Sequence, residues 1–85
     1  MRITGEEISN NIRAERNRIR LSQDEVASRL GVSLKTYISY EANAKNLNAT
    51  MLYELAQILE CKIDDFFYKR SSRIVNINNK EVVNE

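Results

Sequence analysis

Gln23 to Ala42 reads QDEVASRLGVSLKTYISYEA, and the reading of this stretch decides the fold. Val26, Ala27 and Leu30 recur at helical spacing, so Gln23–Leu30 forms a short helix with one apolar face. Gly31 follows, and glycine enters the left-handed conformation that ends a helix without steric cost. After Val32, Ser33 is a good N-cap for a second helix over Leu34–Ala42. That helix places Tyr37 and Tyr40 on its inner side and Leu34, Lys35, Ile38 and Ser39 on the other. Ala27 sits where the two helices approach, a position that a larger side chain would wedge open. Val26, Leu30, Val32 and the two tyrosines fill the angle between the helices and the rest of the domain. An ordinary helical hairpin in a small bundle is the plainer alternative at this point.

Working outward, a first helix is expected over Gly5–Arg18, with Thr4 and Glu7 at capping-box spacing and Ile8 and Ile12 facing inward. Ser22 and Glu25 repeat the capping-box pattern before Gln23. Asn43 to Leu47 reads as a loop, with Asn43 expected in the left-handed conformation. Asn48 caps a fourth helix over Ala49–Leu59, whose Met51, Leu52, Leu55, Ala56, Ile58 and Leu59 give a broad buried face. A short fifth helix over Ile63–Tyr68 is expected to turn Ile63, Phe66 and Phe67 inward. The expected fold is all-α, five helices around one core within residues 1–70. Residues 71–85 differ: SRIVNIN and KEVVNE are β-favouring runs around Asn78-Asn79. Two readings stay open for this tail. One is a hairpin seated on a second copy of the chain, because two strands alone are marginal. The other is a frayed end.

Composition narrows the function. Eighty-five residues suit one domain. No run reaches the roughly 18 apolar residues of a membrane span. MRITGEEISNN lacks a signal-peptide core, so a cytoplasmic protein without membrane association is expected. There is no histidine, and Cys61 is the single cysteine. That leaves no internal disulfide, no zinc ligand set and no Ser-His or Cys-His nucleophile. Phosphate-cradling glycine loops are missing too. No catalytic residue, cofactor or metal site is assigned, and a non-enzyme is expected. The net charge of +1 says nothing about partners. Arg13, Arg16, Arg18 and Arg20 cluster, as do Lys69, Arg70 and Arg73, and a solvated face accounts for each cluster on its own.

Three segments carry a family resemblance: IRAERNRIRLSQDEVASRLGVS from Ile12, KTYISYEANAKN from Lys35, and MLYELAQILECKIDDFF from Met51. Together they resemble the Cro/C1-type helix-turn-helix family (the XRE family), which includes phage repressors and restriction-modification controller proteins. The resemblance implies a lambda-repressor-like domain that binds operator DNA with Leu34–Ala42 as its recognition helix. It implies base contacts from Leu34, Lys35 and Ser39. It implies phosphate contacts from Gln23, Ser33, Thr36, Asn43, Lys45 and Asn46. Arg16 and Glu41 match a partly buried structural ion pair. The chemistry is compatible: lysine donates to guanine O6 and N7, leucine packs on a thymine methyl, and serine serves either base. The hydroxyl of Tyr37, otherwise a core residue, is a further candidate for a phosphate. The chain departs from the family pattern at Asn43, where glycine is usual, at Leu47, a frequent proline, and at Ile38, usually polar.

The sequence therefore points to a sequence-specific, double-stranded DNA-binding transcriptional regulator, a repressor that binds a two-fold operator as a homodimer. A restriction-modification controller or an antitoxin-type regulator are alternatives within that class. A module that binds another regulatory protein, with weak DNA affinity, is the alternative outside it.

Overall fold

A computed structural model describes residues 2–69. Every regular element among them is helical: α1 (Gly5–Arg18), α2 (Gln23–Leu30), α3 (Leu34–Ala42), a 3-10 turn at Ala44–Asn46, α4 (Ala49–Ile58) and a closing 3-10 helix at Ile63–Phe67. The tail at 71–85, with its hairpin reading, lies outside the described residues.

The helix starts follow the sequence closely. Thr4 Oγ1 accepts from Glu7 N at 3.1 Å while Thr4 N donates to Glu7 Oε1 at 2.9 Å, a reciprocal capping box. Ser22 and Glu25 form the same pair at 3.0 and 2.8 Å. Ser33 Oγ caps α3 by accepting from Thr36 N at 3.1 Å, and Asn48 Oδ1 caps α4 by accepting from Met51 N at 2.8 Å.

Three of the four α-helices end in one way. Leu21 N donates to Arg16 O, Val32 N to Ala27 O and Cys61 N to Ala56 O, each with a left-handed residue just before the donor. Those residues are Arg20 (φ 60°), Gly31 (φ 79°) and Glu60 (φ 56°). This is the Schellman closure, in which the backbone beyond the helix bonds back to the last-turn carbonyls. The glycine turn between α2 and α3 thus forms as the sequence indicates. α3 ends otherwise. Asn43 is extended (φ −156°, ψ 115°), not left-handed, because its side chain caps the next turn by accepting from Lys45 N at 3.0 Å. An N-cap requires extended backbone, so the capping role excludes the left-handed one.

Ile12, Val26, Tyr37, Leu55, Leu59 and Phe66 are fully buried and form the core, together with the buried Ala27 of α2. Each large side chain so buried contributes on the order of 2 kcal/mol. The fourth helix is one residue shorter than expected, with Leu59 as its C-cap. The fifth is a 3-10 helix ending at Phe67, and only Phe66 enters the core; Ile63 and Phe67 are 36% and 43% exposed. Asn11, buried in α1, donates its amide to Phe66 O at 2.9 Å and Tyr68 O at 2.7 Å, which ties the end of this element to α1. With three residues per turn, Phe67 points away from the side that holds Phe66.

Candidate nucleic-acid interface

α3 is held from one side and open on the other. Tyr37 and Glu41, one turn apart, are buried, whereas Leu34, Lys35 and Ile38 are exposed and Ser39 is half-buried. Glu41 is the polar centre of the domain. Arg16 Nε donates to its Oε2 at 2.6 Å and Arg16 Nη2 to its Oε1 at 3.2 Å. Gln23 Nε2 donates to Oε1 at 3.0 Å, and the Tyr37 hydroxyl donates to Oε2. Burial alone would raise the Glu41 pKa; the bonds from Arg16, Tyr37 and Gln23 outweigh it and hold the carboxyl below its ordinary value. The Arg16 guanidinium is stabilised in its charged form chiefly by its hydrogen bonds to Glu41. Tyr37 shifts upward, through burial first and its bond to Glu41 second, and stays a neutral donor.

This network fixes α1, the start of α2 and the end of α3 to one another. It also uses the Tyr37 hydroxyl internally on a fully buried side chain, so that group is not available to a phosphate. Gln23 sits at the first position of α2, half-buried, with one amide hydrogen on Glu41. Its backbone N–H opens the helix, where unpaired N–H groups attract anions. Asp24 and Glu25 are exposed in the same turn and oppose an approaching phosphate.

The remaining candidate residues lie along α3 and the loop after it. Ser33 is exposed and Thr36 half-buried, and Ser33 Oγ donates to Thr36 Oγ1 at 3.0 Å, which leaves the Thr36 hydroxyl hydrogen for an outside acceptor. Ser39 Oγ donates to Thr36 O at 2.6 Å, which leaves the half-buried hydroxyl its lone pairs as acceptors. Lys45 and Asn46 are exposed, and Asn46 Nδ2 donates to Ser39 O at 3.4 Å, drawing the loop against the middle of α3. Asn43 is half-buried and occupied by its cap. The outer face of α3, the Ser33–Thr36 start and the Lys45–Asn46 loop therefore form one continuous surface.

The arginine cluster of α1 behaves differently from a nucleic-acid patch. Arg16 bonds Glu41 and, through Nη1, Leu21 O at 2.9 Å. Arg18 pairs with Glu15 at 2.8 Å and donates to Leu59 O and Glu60 O at the end of α4. Arg13 donates to Glu41 O and to Asn10 Oδ1. Ser9, 1% exposed, donates to Tyr40 O at 2.9 Å. Sequence reasoning missed the contribution of Ser9, Arg13 and Gln23 to holding α3. The one available signal was that residues 9, 13 and 16 fall on one stripe of α1.

Among the described residues no group of acidic, histidine or cysteine side chains is placed to hold a metal ion, and no helix is long and apolar enough to cross a membrane. Cys61 is half-buried, and burial pushes its thiol up to about 11, far from a reactive thiolate.

A solved hydroxypropylphosphonic acid epoxidase from S. wedmorenis superposes with a TM-score of 0.70 over 76% of this chain and 35% of its own, at 20% identity, which is a likeness of fold. An uncharacterized transcriptional regulator in the ATPase CF(0) region of Rhodospirillum rubrum is 33% identical over 60 residues. That match takes in 71% of this chain, which spans 56% of the relative's length. The helix-turn-helix family profile matches residues 12–66, from the middle of α1 to the buried Phe66. A match of that extent, over the same helices that build the surface around α3, makes this chain a member of the Cro/C1-type helix-turn-helix family.

Proposed function

We propose that the chain is a transcriptional regulator that binds double-stranded DNA in a sequence-specific manner, with α3 in the major groove. Family membership supports DNA binding, and the relative from Rhodospirillum rubrum supports a regulatory role. The observation that carries the reading is the two-sidedness of α3: Tyr37 and Glu41 lock one side while Leu34, Lys35, Ile38 and Ser39 line the other. In this reading Leu34, Lys35 and Ser39 contact bases. Ser33, Thr36, Lys45 and Asn46 contact phosphates, joined by Gln23 through its helix N-terminus and Asn43 through its loop. Residues 1–70 are the DNA-binding domain and 71–85 a dimerising tail. The protein represses transcription from a two-fold operator, with the recognition helices of a homodimer about 34 Å apart. A restriction-modification controller or an antitoxin-type regulator would use the same surface, and the site of action is the cytoplasm.

Selection of bound duplexes from a random pool tests this directly. A recurrent two-fold motif is expected, with a solution mass near twice that of one chain. Lys35→Ala should cost about 1–3 kcal/mol on the selected duplex. Affinity should fall steeply with salt, as phosphate neutralisation requires. Recovery of no motif, or unchanged binding by Lys35→Ala, contradicts the reading.

One observation favours a second reading, a module that docks another regulatory protein. Leu34 and Ile38 form an exposed apolar pair one turn apart, at 41% and 44%. The Lys35→Ala result separates the two, because a protein interface centred on Leu34 and Ile38 tolerates loss of the lysine.

A further inference from the structure

α3 is the one α-helix among those described that does not end in a Schellman closure. α1, α2 and α4 finish in Schellman closures, in which backbone N–H groups beyond the helix meet last-turn carbonyls. α3 has no basic residue in its last turn and an extended C-cap. Of its last-turn carbonyls, Ser39 O is met by Asn43 N and Asn46 Nδ2, while those of Tyr40 and Glu41 are met from α1. Ser9 Oγ donates to Tyr40 O at 2.9 Å and Arg13 Nη1 donates to Glu41 O at 2.5 Å. Arg13 is itself steadied by Asn10, and Arg16 continues the stripe to the Glu41 carboxylate.

We infer that Ser9 and Arg13 are positioning residues: α1 supplies the missing C-cap of α3 and so sets the angle at which the reading face is presented. The inference rests on the proposal that α3 reads DNA. Two successive carbonyls near a helix end sit about 100° apart around the axis. Fixing both defines the roll of the helix as well as its tilt. α3 is about 13 Å long at 1.5 Å per residue, so a swing of about 10° at the anchored end carries Leu34 and Lys35 through about 2 Å. Base contacts tolerate far less displacement than that. Phosphate attraction tolerates more, since it is electrostatic and long-ranged. Loss of these two bonds therefore lowers discrimination between sequences before it lowers general affinity for DNA.

The test uses the full chain, a duplex recovered by selection with the wild-type protein, and a scrambled duplex of equal length and composition. The readout is the ratio of the two dissociation constants, measured alongside thermal melting. Ser9→Ala, which changes no charge, should cut the ratio about fivefold, the worth of one hydrogen bond, with binding to the scrambled duplex unchanged. Arg13→Gln should cut the ratio similarly, and Arg13→Lys, which keeps a donor, should restore most of it. Arg13 is half-buried, so its variants serve where Ser9→Ala does not fold. Variants that melt earlier yet keep the wild-type ratio overturn the inference and leave the DNA reading intact. A wild-type protein that binds both duplexes equally overturns the DNA reading and this inference with it.

Discussion

Glu41 carries a charge into the interior, and its surroundings decide what that charge does. Its side chain is 3% exposed and that of Arg16 13%. Removing one partner of such a pair strands the other, at a cost of about 3 kcal/mol. Glu41→Gln should lower stability by that order at neutral pH, a large share of what a small domain possesses. The pH dependence follows from the direction of the shift. The folded pKa lies below the ordinary value of 4.5, so the stabilisation is complete above that value. It is lost as pH falls below 4.5 through the depressed folded value. Melting temperatures recorded from pH 7 to pH 3 should stay level and then drop below about pH 4.5. Glu41→Gln should start lower and drop less. Glu7 and Glu25 shift the same way, chiefly through their backbone cap bonds, but Glu7 is only half-buried and Glu25 exposed, and screening by water weakens them. A Glu41→Gln profile parallel to the parent's would contradict this assignment.

At the level of the elements, the capping code was legible in the sequence and the helix endings were only half so. Thr4–Glu7, Ser22–Glu25, Ser33 and Asn48 bond locally, within three residues, and residue type suffices to find them. Gly31 was legible because glycine advertises a left-handed turn. Arg20 and Glu60 adopt the same conformation without that signal, and Asn43, the residue that suggested it, does not. Tertiary closure imposes it on Arg20 and Glu60 at roughly 1–2 kcal/mol each. Opposite outcomes are expected from one kind of substitution. Arg20→Gly should raise stability by up to about 1 kcal/mol, by relieving the left-handed strain. Asn43→Gly should lower it by about 0.3 kcal/mol, by removing a cap that glycine replaces only in part. Chemical denaturation of both variants checks the pair, and the same sign in both would contradict the assigned backbone. Glycine at position 5 answers a different need: a Cβ there would strike the Asn43 side chain and stand 3.3 Å from Lys45 N.

For the whole molecule, the core was largely readable, because apolar periodicity marks Ile12, Val26, Leu30, Leu55, Leu59 and Phe66 whatever their partners. The polar interior was not. The Gln23–Glu41 bond joins residues 18 apart in sequence, and Asn11 reaches carbonyls 55 and 57 residues away. No periodicity encodes such distances. The α1 arginines showed the same limit: a surface-looking cluster became a set of internal ties once the helices were packed. Those ties also bring the far points of the described chain together. Lys69 Nζ donates to Arg2 O at 3.0 Å and pairs with Glu7 at 3.0 Å. A circular permutant can exploit that closeness, with a short Gly-Ser bridge from Lys69 to Arg2 and new termini opened between Leu47 and Asn48. It severs no helix, spares the Asn48 cap, and should melt within a few degrees of the parent by calorimetry. The arrangement of faces, and not the itinerary of the backbone, then specifies this domain.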